Sequence, residues 1–199
     1  MKKGKITVIT GPMFSEKSGE LIDRILKLER FGGKVIKAYK PTEDDRFADD
    51  KIVSRMGYSY LATSIPKKLT DKIIKQILVE TKAVDVVAFD ESQFFSKQIM
   101  GVAEELAFRG KHVICAGLNM DYRGKEFGFM GGLLAIAEEI VTLVSFCAVC
   151  KSPEARFTQR LLHGKPVKSG PIVMIEHSDE VYVYEPRCRF CYVPPHKVE

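Results

Sequence analysis

Residues 5–18, KITVITGPMFSEKS, decide how the chain is read. The apolar run from Lys5 to Thr10 predicts a strand, Gly11-Pro12 a sharp turn, and Lys17-Ser18 the start of a helix. The first N–H groups of a helix have no partner inside it, so a loop folded back onto that end offers an anion several donors and a positive dipole. On that reading Gly11, Pro12, Met13, Phe14, Ser15, Glu16, Lys17 and Ser18 form a phosphate cradle. Lys17 would reach the outer phosphates of a nucleotide and the Ser18 hydroxyl a Mg²⁺. The pattern G-x-x-x-x-G-K-[ST] is met at Gly11, Lys17 and Ser18 but broken at Glu16, where a glycine would let the backbone approach the phosphate with a positive φ. Taken by itself, the broken pattern suits a nucleotide site and an ordinary strand-turn-helix corner about equally. Two positions are open to the Glu16 carboxylate: outward in solvent, or against Lys17, where it would repel a triphosphate.

Downstream, helices and strands alternate. Ser18–Phe31 carries Leu21, Ile25 and Leu28 at helical spacing and stops at Gly32-Gly33. Val35–Tyr39 reads as a strand, Leu69–Thr81 as a helix, and Val84–Phe89 as a strand apolar enough to be buried on both faces. A helix over Lys97–Arg109, a strand over His112–Ala116, a long glycine-bearing loop from Gly117 to Gly132, a helix over Leu133–Glu139 and a strand over Ile140–Ser145 follow. This order predicts an α/β fold, a P-loop core with a predominantly parallel sheet flanked by helices. The character changes near Cys147. Residues 1–145 are therefore expected to form the nucleotide-binding domain and residues 146–199 a small zinc-binding domain with short strands at Ile172–Ile175 and Val181–Tyr184.

Composition narrows the function. With 199 residues, 45% of them hydrophobic, the chain can bury a core. No apolar run approaches the ~18 residues of a membrane span, and MKKGKITV leads directly into a strand, so a cytoplasmic protein with no membrane partner is expected. A formal charge of +5, with 31 basic residues spread among 26 acidic ones, suits anionic small molecules and does not ask for nucleic acid.

Three clusters carry chemistry. Cys147, Cys150, Cys188 and Cys191 form two CxxC turns that can supply four thiolates to a structural Zn²⁺, a redox pair being the competing reading. The fifth cysteine, Cys115, lies in an apolar strand and is expected to be inert core. Asp90 and Glu91 follow a buried strand at the sheet edge where α/β folds bind ligands; one can hold Mg²⁺ while the other accepts a proton from an attacking hydroxyl. In the charged loop after Lys40-Pro41, Arg46 can brace phosphates and Asp44 a sugar hydroxyl, although a plain solvated loop has the same composition. Phe94, Tyr122, Phe127 and Tyr184 can stack on a base or simply fill the core.

Read together, GPMFSEKSGELIDRI, KPTEDDRF, FDESQFF, GLNMDYRGKEFG, CAVC, TQRLLHGKPV and YEPRCRFCY stand in the order found in thymidine kinases of the zinc-containing, human-cytosolic and bacterial type, which the chain resembles over about residues 4–195. The resemblance implies ATP-dependent phosphorylation of the 5′-hydroxyl of thymidine or deoxyuridine, Mg²⁺ with the nucleotide, a zinc-bound lasso and a homotetramer. It makes Glu91 the base, Lys17 and Arg46 phosphate contacts, and Ser18 with Asp90 the magnesium side. Met13, Leu118, Tyr122 and Tyr184 would line the thymine pocket, with Phe94 and Phe127 around it, Gln93 and Asp44 near the nucleoside, and Thr158 with lasso backbone holding the base. Glu16 in place of the family's glycine and Asn119 in GLN, where GLD is usual, depart from the pattern. Glu16 keeps a second class open, a kinase-shaped nucleotide-binding protein with weak or no turnover.

Overall fold

The computed structural model describes residues 4–42, 50–173 and 182–197. Its main sheet has six parallel strands: β1 (Lys5–Thr10), β2 (Ile36–Pro41), β5 (Thr63–Ile65), β6 (Val86–Phe89), β7 (His112–Gly117) and β8 (Glu139–Thr142), in the order β5-β2-β6-β7-β1-β8. Between β2 and β5 an antiparallel hairpin, β3 (Lys51–Val53) and β4 (Ser59–Leu61), leaves the sheet. Among the described residues four α-helices cover the faces: α1 (Lys17–Arg30), α2 (Asp71–Glu80), α3 (Gln98–Phe108) and α4 (Met130–Ile136).

Successive strand residues point to opposite faces, so each central strand feeds two cores. Tyr39, Val87, Phe89, Val113 and Cys115 meet Ile99, Val102 and Leu106 of α3 on one face. On the other, the smaller Ala38, Ala88 and Ala116 leave room for Leu21, Ile22 and Ile25 of α1 and for Ile52 of the hairpin. Each buried aliphatic side chain of α1 contributes about 1.5–3 kcal/mol, which fixes the helix whose first turn begins at Lys17. Cys115 is fully buried and burial pushes its thiol up to about 12, so it is core.

A second, three-stranded antiparallel sheet contains β9 (Phe157–Leu162), β10 (Lys165–Pro166) and β11 (Tyr182–Arg187), in the order β10-β9-β11. It sits against the C-terminal edge of the main sheet: the Met13 N–H donates to Thr158 Oγ1 at 3.0 Å and the Tyr192 hydroxyl to the Tyr122 carbonyl at 2.8 Å. Among the described residues no helix is long and apolar enough to cross a membrane.

Two expectations shift. The last helix begins at Met130, three residues before the predicted start, because Gly131 and Gly132 open it; a Cβ on Gly132 would stand 2.1 Å from Met100 Sδ, so the glycine is there to let α4 approach α3. The strand expected from Ile172 is not formed at Ile172 and Val173, which lie in a bend, and its last two residues fall outside the described residues. The strand of this region is instead Phe157–Leu162, whose Thr158, Gln159 and Arg160 are buried polar residues.

Candidate active site

The loop after β1 and the corner after β6 meet at the C-terminal edge of the sheet. The Ser18 hydroxyl, in the first turn of α1, donates to Asp90 Oδ2 at 3.0 Å. Asp90 is 6% exposed; burial and then the adjacent Glu91 carboxylate push its carboxyl up to about 7. A buried carboxylate beside a hydroxyl is the oxygen donor set that a hard divalent cation accepts. Lys17 lies in the same field. Burial pulls its ammonium down to about 8 against the opposing pull of Glu91 and Asp90, and its Nζ donates to the Pro12 carbonyl at 2.7 Å.

Side-chain hydroxyls hold the loop backbone in place. Ser15 Oγ donates to the Pro12 carbonyl at 2.9 Å, and Ser145 Oγ to the Phe14 carbonyl at 3.0 Å. Phe14 and Glu16 both adopt positive φ, 65° and 58°, so Glu16 takes the left-handed backbone that a glycine would adopt freely. Its side chain is half-buried, and its charge favours the protonated form of Lys17. Oε2 is buried without a hydrogen-bond partner and lies where a Cβ on Gly19 would come within 3.1 Å of it.

Glu91 also has a positive φ, 47°. Its Oε2 accepts a hydrogen bond from Gln93 Nε2, and Gln93 Oε1 in turn accepts the Leu118 N–H at 3.0 Å, so the carboxylate is steadied by a link to the end of β7. Phe94 and Phe127 pack edge to face with centroids 5.4 Å apart. Tyr122 is buried at 3% exposure, with its hydroxyl on the Gly170 carbonyl at 3.1 Å. Tyr184 stands opposite Arg160 in the β9–β11 pairing, and Thr158, expected beside a base, spends its hydroxyl on the Met13 N–H. Arg46 and Asp44 lie outside the described residues.

Two residues that sequence reasoning passed over enter this region. Arg55, in the β3–β4 turn, places its guanidinium 3.8 Å from the Phe14 ring centroid and opposes protonation of Lys17. Arg160, fully buried, stacks 3.6 Å over the Tyr122 ring. A cleft of about 350 Å³ beside the first corner of the loop is lined by Gly11, Pro12, Asn119, Leu143, Arg156 and Arg189.

The Sγ atoms of Cys147, Cys150, Cys188 and Cys191 all lie within 4.8 Å of one another. Cys150 and Cys188 are 3.7 Å apart, too far for a disulfide at ~2.05 Å and close to the ~3.8 Å edge of a tetrahedron with ~2.3 Å metal–sulfur bonds. Burial opposes ionisation of Cys147, but donors from the backbone of Cys150, Cys188 and Val149 outweigh it and bring the thiol down to about 6. The cluster is a candidate zinc site, and its spacing fits that ion in place of the redox pair. The model of the family described as thymidine kinase matches residues 4–192.

Proposed function

The chain belongs to the thymidine kinase family and is a thymidine kinase, and from that premise we propose that it transfers the terminal phosphoryl group of ATP to the 5′-hydroxyl of thymidine or deoxyuridine. The observation that carries this reading is the meeting of Ser18, Asp90, Glu91 and Lys17 where the loop after β1 faces the corner after β6. The loop Gly11–Ser18, Lys17 and Arg46 take the phosphates, and Ser18 and Asp90 hold Mg²⁺, which neutralises charge on the phosphoryl oxygens when bound. Glu91, oriented by Gln93, accepts the proton of the 5′-hydroxyl. Catalysis is then mostly positioning and charge compensation in an in-line transfer.

On the same reading Met13, Leu118, Tyr122, Phe94, Phe127 and Tyr184 hold the nucleoside, with Gln93 and Asp44 near its sugar. Thr158 contributes by fixing the Met13 N–H that borders it. Cys147, Cys150, Cys188 and Cys191 hold one structural Zn²⁺ that closes residues 146–199 into their own small domain and takes no part in the chemistry. The protein is a cytoplasmic homotetramer whose partners are nucleoside and ATP, with neither nucleic acid nor membrane among them. The test is phosphate transfer from ATP to thymidine by the purified chain, with and without Mg²⁺. Mg²⁺-dependent formation of thymidine 5′-monophosphate is expected, and a rate no higher than that of the Glu91→Gln variant would sink the proposal.

A further inference from the structure

Arg160 is one of the largest fully buried side chains, and its described partners are carbonyls and aromatic rings. Nη1 donates to the Pro171 carbonyl at 2.5 Å and Nη2 to the Ser169 carbonyl at 3.4 Å, while Nε is buried with no partner. The guanidinium carbon lies 3.6 Å over the Tyr122 ring and 5.4 Å from the Tyr182 ring. The carbonyl between those two, on Gly170, accepts the Tyr122 hydroxyl at 3.1 Å. Three successive carbonyls of an exposed strap, 169–171, are thus gripped by one cation and the aromatic ring it stacks on. A buried guanidinium is costly, and keeping one here is justified only if its planar fork does something that an apolar side chain of the same volume would not.

We propose that Arg160 is a positioning residue that clamps the strap Ser169–Pro171 over the nucleoside end of the site, so that it governs nucleoside affinity and not the rate of phosphoryl transfer. The proposal rests on the assignment of Tyr122 and Tyr184 to the nucleoside. Tyr122 is one jaw of the clamp, and Tyr184 faces Arg160 across the β9–β11 ladder. Gly170 is part of the device: its φ is +134°, and a Cβ there would stand 2.8 Å from Arg160 Nη2, on a guanidinium held through Nη1 by the Pro171 carbonyl and stacked on the Tyr122 ring.

The clamp is tested on the full-length chain. Arg160→Lys keeps the charge but cannot serve two carbonyls while stacked on Tyr122. It is expected to raise the thymidine KM about tenfold or more, with kcat and the ATP KM within about threefold. The Lys168–Ser169 bond lies at the edge of the clamp, so trypsin should cut it about tenfold faster in the variant, and thymidine should protect that bond only in the parent. Gly170→Ala, with Arg160 intact, should reproduce both effects. A lowered melting temperature with unchanged thymidine KM and unchanged cleavage at Lys168 would make Arg160 a plain core residue and overturn the proposal. If Arg160→Lys does not fold, Gly170→Ala decides by the same two readouts. If the parent fails to phosphorylate thymidine, the functional assignment falls, and the cleavage rates alone then support or overturn the clamp.

Discussion

The corners after β1 and after β6 are built alike and end differently. Each leaves a strand of the same parallel sheet through a glutamate in left-handed backbone, Glu16 at φ 58°, ψ 37° and Glu91 at φ 47°, ψ 41°. Each glutamate caps a helical segment without a side-chain hydrogen bond to it. Such a conformation costs about 1–3 kcal/mol for a residue with a Cβ. At Glu91 the carboxylate accepts from Gln93 and its charge acts on both Asp90 and Lys17. At Glu16 a carboxylate oxygen is left buried and unpartnered over Gly19. Strain of equal size therefore has two meanings. It is informative where a polar network surrounds the strained residue and silent where none does.

The largest effect expected breaks the comparison on the Glu91 side. Glu91→Gln keeps shape and a partner for Gln93 but cannot accept a proton. The turnover number should fall ~10²–10⁴-fold, with the thymidine KM within about threefold. Glu91→Gly, which removes the backbone strain as well, should be no more active. A Gln variant with near-parent turnover would mean that the left-handed corner is structural and that the base lies elsewhere.

Next in size is the cysteine cluster, the control that both corners need, since it belongs to neither. Cys188→Ser should take bound zinc from one per chain to none and lower stability by ~3–5 kcal/mol, roughly 10 °C in Tm, because metal binding is here folding energy. Metal analysis and calorimetry read both. Zinc retained in the variant would exclude Cys188 as a ligand.

How much of this was legible in the sequence differs between the two halves of the chain. The main sheet was legible because its strands are apolar on both faces and its helices carry a plain spacing: β1, α1, β6, α3 and β7 all lie where periodicity puts them, within a residue or two. The hairpin Lys51–Leu61 and β5 were not, since strands of three residues show no period. In the second sheet, FTQRLL hides a strand because its buried residues are polar. Thr158 pairs with Met13, and the Nη atoms of Arg160 with Ser169 and Pro171, and no local pattern announces such partners. The acids after β6 and the four cysteines announce themselves by residue type and spacing. Arg55 does not, because a turn arginine reads as solvated surface until the Phe14 ring beneath it is seen.

Glu16→Gly sharpens the comparison on its other side. Removing the side chain relieves the φ of 58° and the buried oxygen of Glu16 together. The substitution should stabilise the chain by about 1–2 kcal/mol and lower the ATP KM roughly tenfold, with zinc content unchanged. The same substitution at Glu91 would destroy activity, so one chemical change at two matched corners should move function in opposite directions. Calorimetry and steady-state kinetics on both variants measure this. An ATP KM that is equal or higher in Glu16→Gly would show that the carboxylate does not impede the nucleotide.

The smallest effect concerns the residue beside Glu16. Burial, outweighing the attraction of Glu91 and Asp90, holds the Lys17 ammonium down at about 8, against an ordinary value of 10.5. A folded pKa below the unfolded one means that the unfolded chain binds more protons between those two values, so this group's contribution to stability rises with pH across that window and is unfavourable below it. The corner after β1 thus carries a cost at neutral pH that phosphate would relieve. Lys17→Met removes the ammonium at nearly constant volume. It should raise stability at pH 7 by about 1–2 kcal/mol, a few degrees in Tm, and the gain should shrink toward zero as the pH passes 10. Because other groups titrate in the same range, the quantity to follow is the difference in Tm between parent and variant, measured from pH 7 to pH 10.5 without nucleotide. A difference that stays constant with pH would mean that Lys17 is not held in a strained charge state, and that the loop is at rest without its anion.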